Sequence, residues 1–132
     1  MITMHRPLFA ALLAIPLFAL FTPSPAQVQR QFPQTALRGQ ILFGQPPLIA
    51  LNGEPNRLAP GARIRGTNNT IVLSGSLVGS RLSAHYTIDA HGLLKDVWIL
   101  QDDELANIPW PSNAQEAAAW AFDPAAQRWT RP

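Results

Sequence analysis

The sequence predicts an all-β domain, a small antiparallel barrel or roll of five or six strands with a short C-terminal helix, preceded by an N-terminal signal peptide. Three observations carry this expectation. Short apolar runs recur between turn-forming pairs through the middle of the chain, the pattern of a sandwich or small barrel. All eight glycines lie between Gly39 and Gly92, whereas the stretch beyond Leu94 has none and collects tryptophans and an alanine run. The opening residues follow the order of an export signal.

His5 and Arg6 supply a basic start, and Pro7 to Phe21 is an uncharged apolar run of fifteen residues. As a helix that run rises about 22 Å, short of a hydrocarbon core of roughly 30 Å, and Pro16 interrupts it. Ser24 and Ala26 are the small residues that signal peptidase requires, so cleavage is expected after Ala26, with no membrane span in what remains. The absence of cysteine removes lipoprotein attachment, disulfides and thiol chemistry. Residues 27–35 read as a linker, 36–104 as the β domain and 105–132 as a helical, tryptophan-bearing tail.

Strands are expected near Ala36 to Phe43, Leu48 to Leu51, Arg63 to Arg65, Thr70 to Ser74, Arg81 to Asp89 and Leu94 to Leu100. Asn52-Gly53, Pro60-Gly61, Asn68-Asn69 and His91-Gly92 mark the turns, because Gly and Asn accept positive φ and Pro presets the first turn position. The clearest strand is Arg81 to Asp89. Its Leu82, Ala84, Tyr86 and Ile88 alternate with Arg81, Ser83, His85, Thr87 and Asp89, giving one apolar and one polar face. Leu94 to Leu100 is apolar on both faces and therefore central or covered. Leu37, Ile41 and Phe43 form a further core stripe, and Gly39 between them suits a close strand approach. In the tail, Ser112 and Gln115 have capping-box spacing, so a helix is expected over Asn113 to Phe122. Asp123-Pro124 ends it and is expected to cap a last turn carrying Trp129.

Few residues invite chemistry. His85, Asp89 and His91 have metal-ligand identities, but alternate residues on a strand stand about 7 Å apart, too far for a shared first shell. They read as a solvent-facing polar edge, and no metal or cofactor is expected. The serines between Ser74 and Ser83 stand in no nucleophile elbow and are loop residues. Asp102, Asp103 and Glu104 suit the start of a helical turn. Gly61 to Gly66 lacks the Lys-Ser/Thr of a phosphate loop.

Two surfaces remain as candidates. Arg63 and Arg65 should project from one strand face with Arg81 near them and Trp98 for stacking, a site for an oligonucleotide or anionic glycan. Against it, loss of Arg6 leaves nine basic residues opposite eight acidic ones, so long-range attraction to polyanions is weak by composition and no strong nucleic-acid signal exists. The second candidate is the aromatic tail: Trp110, Trp120 and Trp129 must pack on the barrel, on a second copy or on an envelope partner.

The strings Arg57 to Gly79 and Tyr86 to Leu100 resemble a group of short, uncharacterised exported proteins of Gram-negative bacteria. That resemblance implies a periplasmic or secreted location and no activity. The expectation is therefore a non-catalytic binding or interaction module outside the cytoplasm. The alternatives are an arginine-faced barrel for an anionic ligand and a hydrolase built on His85 or His91.

Overall fold

The structure, a computed structural model, describes residues 29–132; the expected signal peptide and the expected cleavage after Ala26 lie outside the described residues. Five strands, β1 (Leu37–Phe43), β2 (Leu48–Leu51), β3 (Glu54–Arg65), β4 (Arg81–Ile88) and β5 (Leu94–Ile99), close a barrel in the order β1-β2-β3-β5-β4. Every contact is antiparallel except that between β3 and β5. A five-stranded Greek-key barrel of this kind is the architecture of the OB fold. Ile41, Phe43, Ile49, Leu58, Ile64, Ala84, Tyr86, Leu94 and Val97 fill its interior.

Local chemistry sets the connections. Asn52 and Gly53, at φ 53° and 86°, form the two-residue hairpin between β2 and β3 that Asn-Gly favours. The Asn52 side chain then reaches across β1, where its Oδ1 accepts the Gln40 amide at 2.9 Å. A Cβ on Gly39 would lie 2.8 Å from that oxygen, which is the close approach expected at this glycine.

Three expected elements differ. Pro60-Gly61 does not end a strand: β3 runs through it with a register shift, Leu58 pairing with Leu94 but Arg63 with Asp96, and Gly61 takes φ 77° in the bulge. Only a residue free of Cβ strain turns there without breaking the ladder. Thr70 to Ser74 is not a strand, since Ile71 makes a single bridge to Arg65 and the chain then winds into a 3-10 turn over Ser74–Leu77. Ser76 holds that turn by donating its amide and hydroxyl to the Leu73 carbonyl at 3.0 and 2.7 Å. Finally, Asp123-Pro124 heads no helical turn. It makes the corner between β6 (Ala121–Asp123) and β7 (Arg128–Thr130), where the Asp123 carboxylate accepts the Ala125 amide at 3.0 Å.

The tail carries two short helices, α1 (Asp102–Leu105) and α2 (Ala114–Ala119). The cap of α2 sits one residue later than the Ser112 spacing indicated, and the helix ends at Ala119 rather than Phe122, because Trp120 turns extended and Phe122 pairs with Trp129 in the β6–β7 hairpin. Asn113 accepts the Glu116 amide at 2.8 Å, and Glu116 accepts the Ser112 amide and hydroxyl, both at 2.9 Å. In α1 the Glu104 carboxylate accepts the Gln101 amide at 2.8 Å.

Residues 29–35, expected as a linker, are part of the fold. Phe32 and Ala36 join Leu100, Trp110 and Trp129 in a second core on the outside of the barrel, with Trp98, Ala117, Trp120 and Phe122 packed against it. Gln127 ties the two ends together, accepting the Phe32 amide at 2.9 Å and donating to the Pro124 carbonyl at 3.0 Å. Arg30 is buried. Its guanidinium forms a fork on the Glu104 carboxylate and donates to the carbonyls of Gly66 at 2.9 Å and Ile99 at 2.8 Å, so one side chain joins the N-terminal segment to β3, β5 and α1.

Candidate functional site

The barrel's outer surface is divided by what covers it. Register places Arg38 of β1, His85 of β4, Trp98 of β5 and Arg65 of β3 in one outward row. The second core lies over the centre of this row. Phe32 packs edge-on to His85 and Trp98 with centroids 4.5 and 5.6 Å away, and Trp110 stacks on His85 at 4.1 Å. The polar face of β4 is therefore not a solvent edge: His85 is 1 % exposed, and both ring nitrogens lack a hydrogen-bond partner. Burial, reinforced by the Arg38 and Arg30 guanidinium charges, pushes its pKa down to about 2. A neutral ring of such low basicity is a poor proton acceptor, which removes His85 as a general base at neutral pH.

His85, Asp89 and His91 do not converge. The Asp89 carboxylate accepts the backbone amides of His91 and Leu93 at 2.8 and 3.0 Å, which holds the β4–β5 turn and keeps Asp89 below the usual carboxylate range. Among the described residues no three His, Cys, Asp or Glu side chains are grouped to hold a metal.

The predicted tryptophan surface is also internal. Trp110 and Trp129 are 7 % and 4 % exposed, and Trp110 donates its indole N–H to the Ala36 carbonyl at 3.0 Å. Trp120 is half-buried beneath the Arg131 guanidinium. Once the chain's own barrel takes these rings, they no longer form an open face for a partner.

The predicted arginine face separates into two places. Arg63 lies opposite Asp96 in register and Arg65 is 4.0 Å from its carboxylate, so the charge of Arg65 is partly offset; Trp98 adjoins Arg65 but lies against Phe32. Arg81 is on the other side, opposite Leu42 on β1. There, Arg81, Gln40, Leu42, Ala50, Asn52 and Gly53 line a cleft of about 550 Å³ across β1 and β2. Arg57, opposite Leu48, stands across β2 from it. Among the described residues neither Arg57 nor Arg81 has an acid within ion-pair distance.

Charge follows the same division. From Ala36 to Ile88 five arginines accompany one acid, Glu54, whereas from Asp89 onward seven acids accompany three bases. The near-neutral total is thus the sum of a basic barrel stretch and an acidic stretch, of which Asp102, Asp103, Glu104, Glu116 and Asp123 belong to the tail. The gap in acids was present in the sequence; only its segregation in space required the fold. Sequence reasoning also missed the apolar tips beside Arg57 and Arg81. Leu48, Ile71, Leu73 and Val78 are 49 %, 59 %, 77 % and 42 % exposed. They stand at one end of the barrel, where Gly79 donates to the Phe43 carbonyl at 2.7 Å, and Pro46, Pro47, Ile71 and Leu73 share a cleft of about 250 Å³.

A larger cleft of about 600 Å³ separates α2 from the barrel, lined by Thr35, Thr87, Lys95, Asp96 and Ala117 among others. Its one cation is Lys95, and Thr87 donates its hydroxyl to the Asp96 carboxylate at 3.2 Å, so that pair of polar groups already serves one another. Comparison with protein-family models, curated proteins and solved structures gave no match. Among the described residues no helix is long and apolar enough to cross a membrane.

Proposed function

We propose that this chain is a non-catalytic binding module outside the cytoplasm, which recognises an anionic partner with the open β1–β2–β3 face of its barrel. Arg57 and Arg81 are the charged contacts, and Gln40 and Asn52 supply neutral hydrogen-bonding groups in the cleft that Arg81 lines. The observation that carries this reading is the partition of the surface: the aromatic tail covers the row of Arg38, His85 and Trp98, and leaves Arg57 and Arg81 exposed outside it with no acid in ion-pair distance among the described residues. OB-type barrels bind oligonucleotides and oligosaccharides across the strand 2–3 face, an analogy of fold alone that agrees with this placement. The N-terminal signal and the resemblance to exported Gram-negative proteins support the location.

Retention on an immobilised sulfated polysaccharide, measured against salt, tests the reading. The protein is expected to be retained at low salt and released as salt rises, and the Arg57→Gln/Arg81→Gln variant should elute with a log-log salt slope lower by about 1 to 2. Equal retention of that variant, with loss instead in Arg63→Gln/Arg65→Gln, would move the site to the Asp96 side.

A further inference from the structure

We propose that the physiological anion is a lipid surface: the barrel end docks on an anionic membrane with Leu48, Ile71, Leu73 and Val78 entering the headgroup layer and Arg57 and Arg81 against lipid phosphates. This rests on the anion-binding reading above and names its partner class. The four aliphatic side chains are among the most exposed large apolar residues of the fold. They come from two pieces of chain, the start of β2 and the connection between β3 and β4 on both sides of its 3-10 turn. Neighbouring Pro46 and Pro47 add further apolar surface, and no acid occurs between Pro55 and Ile88. Apolar tips with cations on the neighbouring strands are what an interfacial layer of acyl chains under phosphate accepts.

Three other occupants fit less well. A single-stranded nucleic acid binds by stacking bases on aromatic rings, and this end exposes none, because Phe43 points into the core. Protein interfaces are anchored by buried Trp, Tyr and Arg, whereas the apolar residues here are aliphatic or proline. A two-fold pairing with a second copy would set Arg57 and Arg81 against their own counterparts with no acid to separate them.

Flotation tests this with the chain from Gln27 onward, which carries every element of the fold and omits the apolar leader that would bind lipid by itself. The vesicles are pure phosphatidylcholine, or phosphatidylcholine containing phosphatidylglycerol. The protein is expected to float with the phosphatidylglycerol vesicles only. Ile71→Ser/Leu73→Ser should lower the bound fraction at least tenfold, because serine removes the apolar surface that enters the lipid, while leaving retention on the sulfated polysaccharide unchanged. Arg57→Gln/Arg81→Gln should lose both. All substituted residues are exposed, so equal melting temperatures identify folded variants. Retention on the soluble polyanion without flotation overturns the lipid proposal and leaves the anion-binding one standing; absence of both overturns the two together. Flotation that Ile71→Ser/Leu73→Ser does not reduce also overturns it, and a dimer in sedimentation velocity that this variant abolishes assigns the tips to a second copy.

Discussion

His85 shows how a residue that looks ready for chemistry becomes a packing group. It stacks against Trp110 and meets the edge of Phe32, and neither nitrogen has a partner. The folded protein therefore disfavours the charged ring, whose pKa falls from 6.5 to about 2. A depressed histidine pKa means that the unfolded chain takes up the proton first. Stability is then complete above about pH 6.5 and falls toward pH 2, by about 1.4 kcal/mol per pH unit once well below the upper limit. Chemical denaturation of wild type and His85→Phe between pH 7.5 and about 5, above the range where carboxylates titrate, checks this. The wild type should lose stability across that interval and the variant should not, while at pH 7.5 the two should agree within about 1 kcal/mol, because the new ring removes two unsatisfied nitrogens but adds volume. Parallel acid profiles would mean that His85 is hydrated or bonded in solution.

At the scale of the element, β3 holds the topology together. It pairs antiparallel with β2 in its first half and parallel with β5 in its second, and the change of partner occurs around the bulge at Ala59 to Ala62. Gly61 allows it through φ 77°. A Cβ at this position meets no atom within 4 Å, so Gly61→Ala tests backbone strain without steric overlap. Its expected cost is about 1 to 2 kcal/mol, read as a lower urea midpoint at unchanged m. No change in midpoint would mean that the bulge takes another conformation. The loop after β3 illustrates the opposite outcome, a stretch of strand-forming residues kept out of the sheet. Ile71 pairs once with Arg65, but the chain has to cross the barrel end to reach β4 and winds into the Ser74–Leu77 turn instead, which leaves Ile71 and Leu73 outside.

For the molecule as a whole, the two cores are one folding unit. The tail lies on β1, β4 and β5 through Trp110 and Trp129, while Arg30 and Gln127 bind both termini into the same layer. A chain ending at Glu104 keeps the five strands but uncovers Phe32, Ala36 and Leu100 and leaves His85 without its stacked ring. It is expected to unfold at a markedly lower temperature than the full chain, which should itself melt in a single transition followed equally by tryptophan fluorescence and far-UV circular dichroism. Two separate transitions in the full chain would show that the tail is an independent appendage.

The barrel was legible in the sequence because its signals are local: alternation along Arg81 to Ile88, the Asn52-Gly53 turn, and a glycine at position 39 where the Asn52 side chain of that turn crosses. The helix after Asn113 was legible for the same reason, to within one residue of its cap. What the sequence left open was which surface covers which. The same alternation that predicts a half-buried β4 cannot reveal that Phe32 and Trp110, both remote in the chain, land on its polar face, nor that Arg65 meets Asp96 while Arg57 and Arg81 meet no acid. These outcomes depend on closure of the barrel and on the path of the tail around it. Packing between distant segments therefore decided the candidate site, turning tryptophans that could have recruited a partner into core and leaving the arginines of the opposite face open.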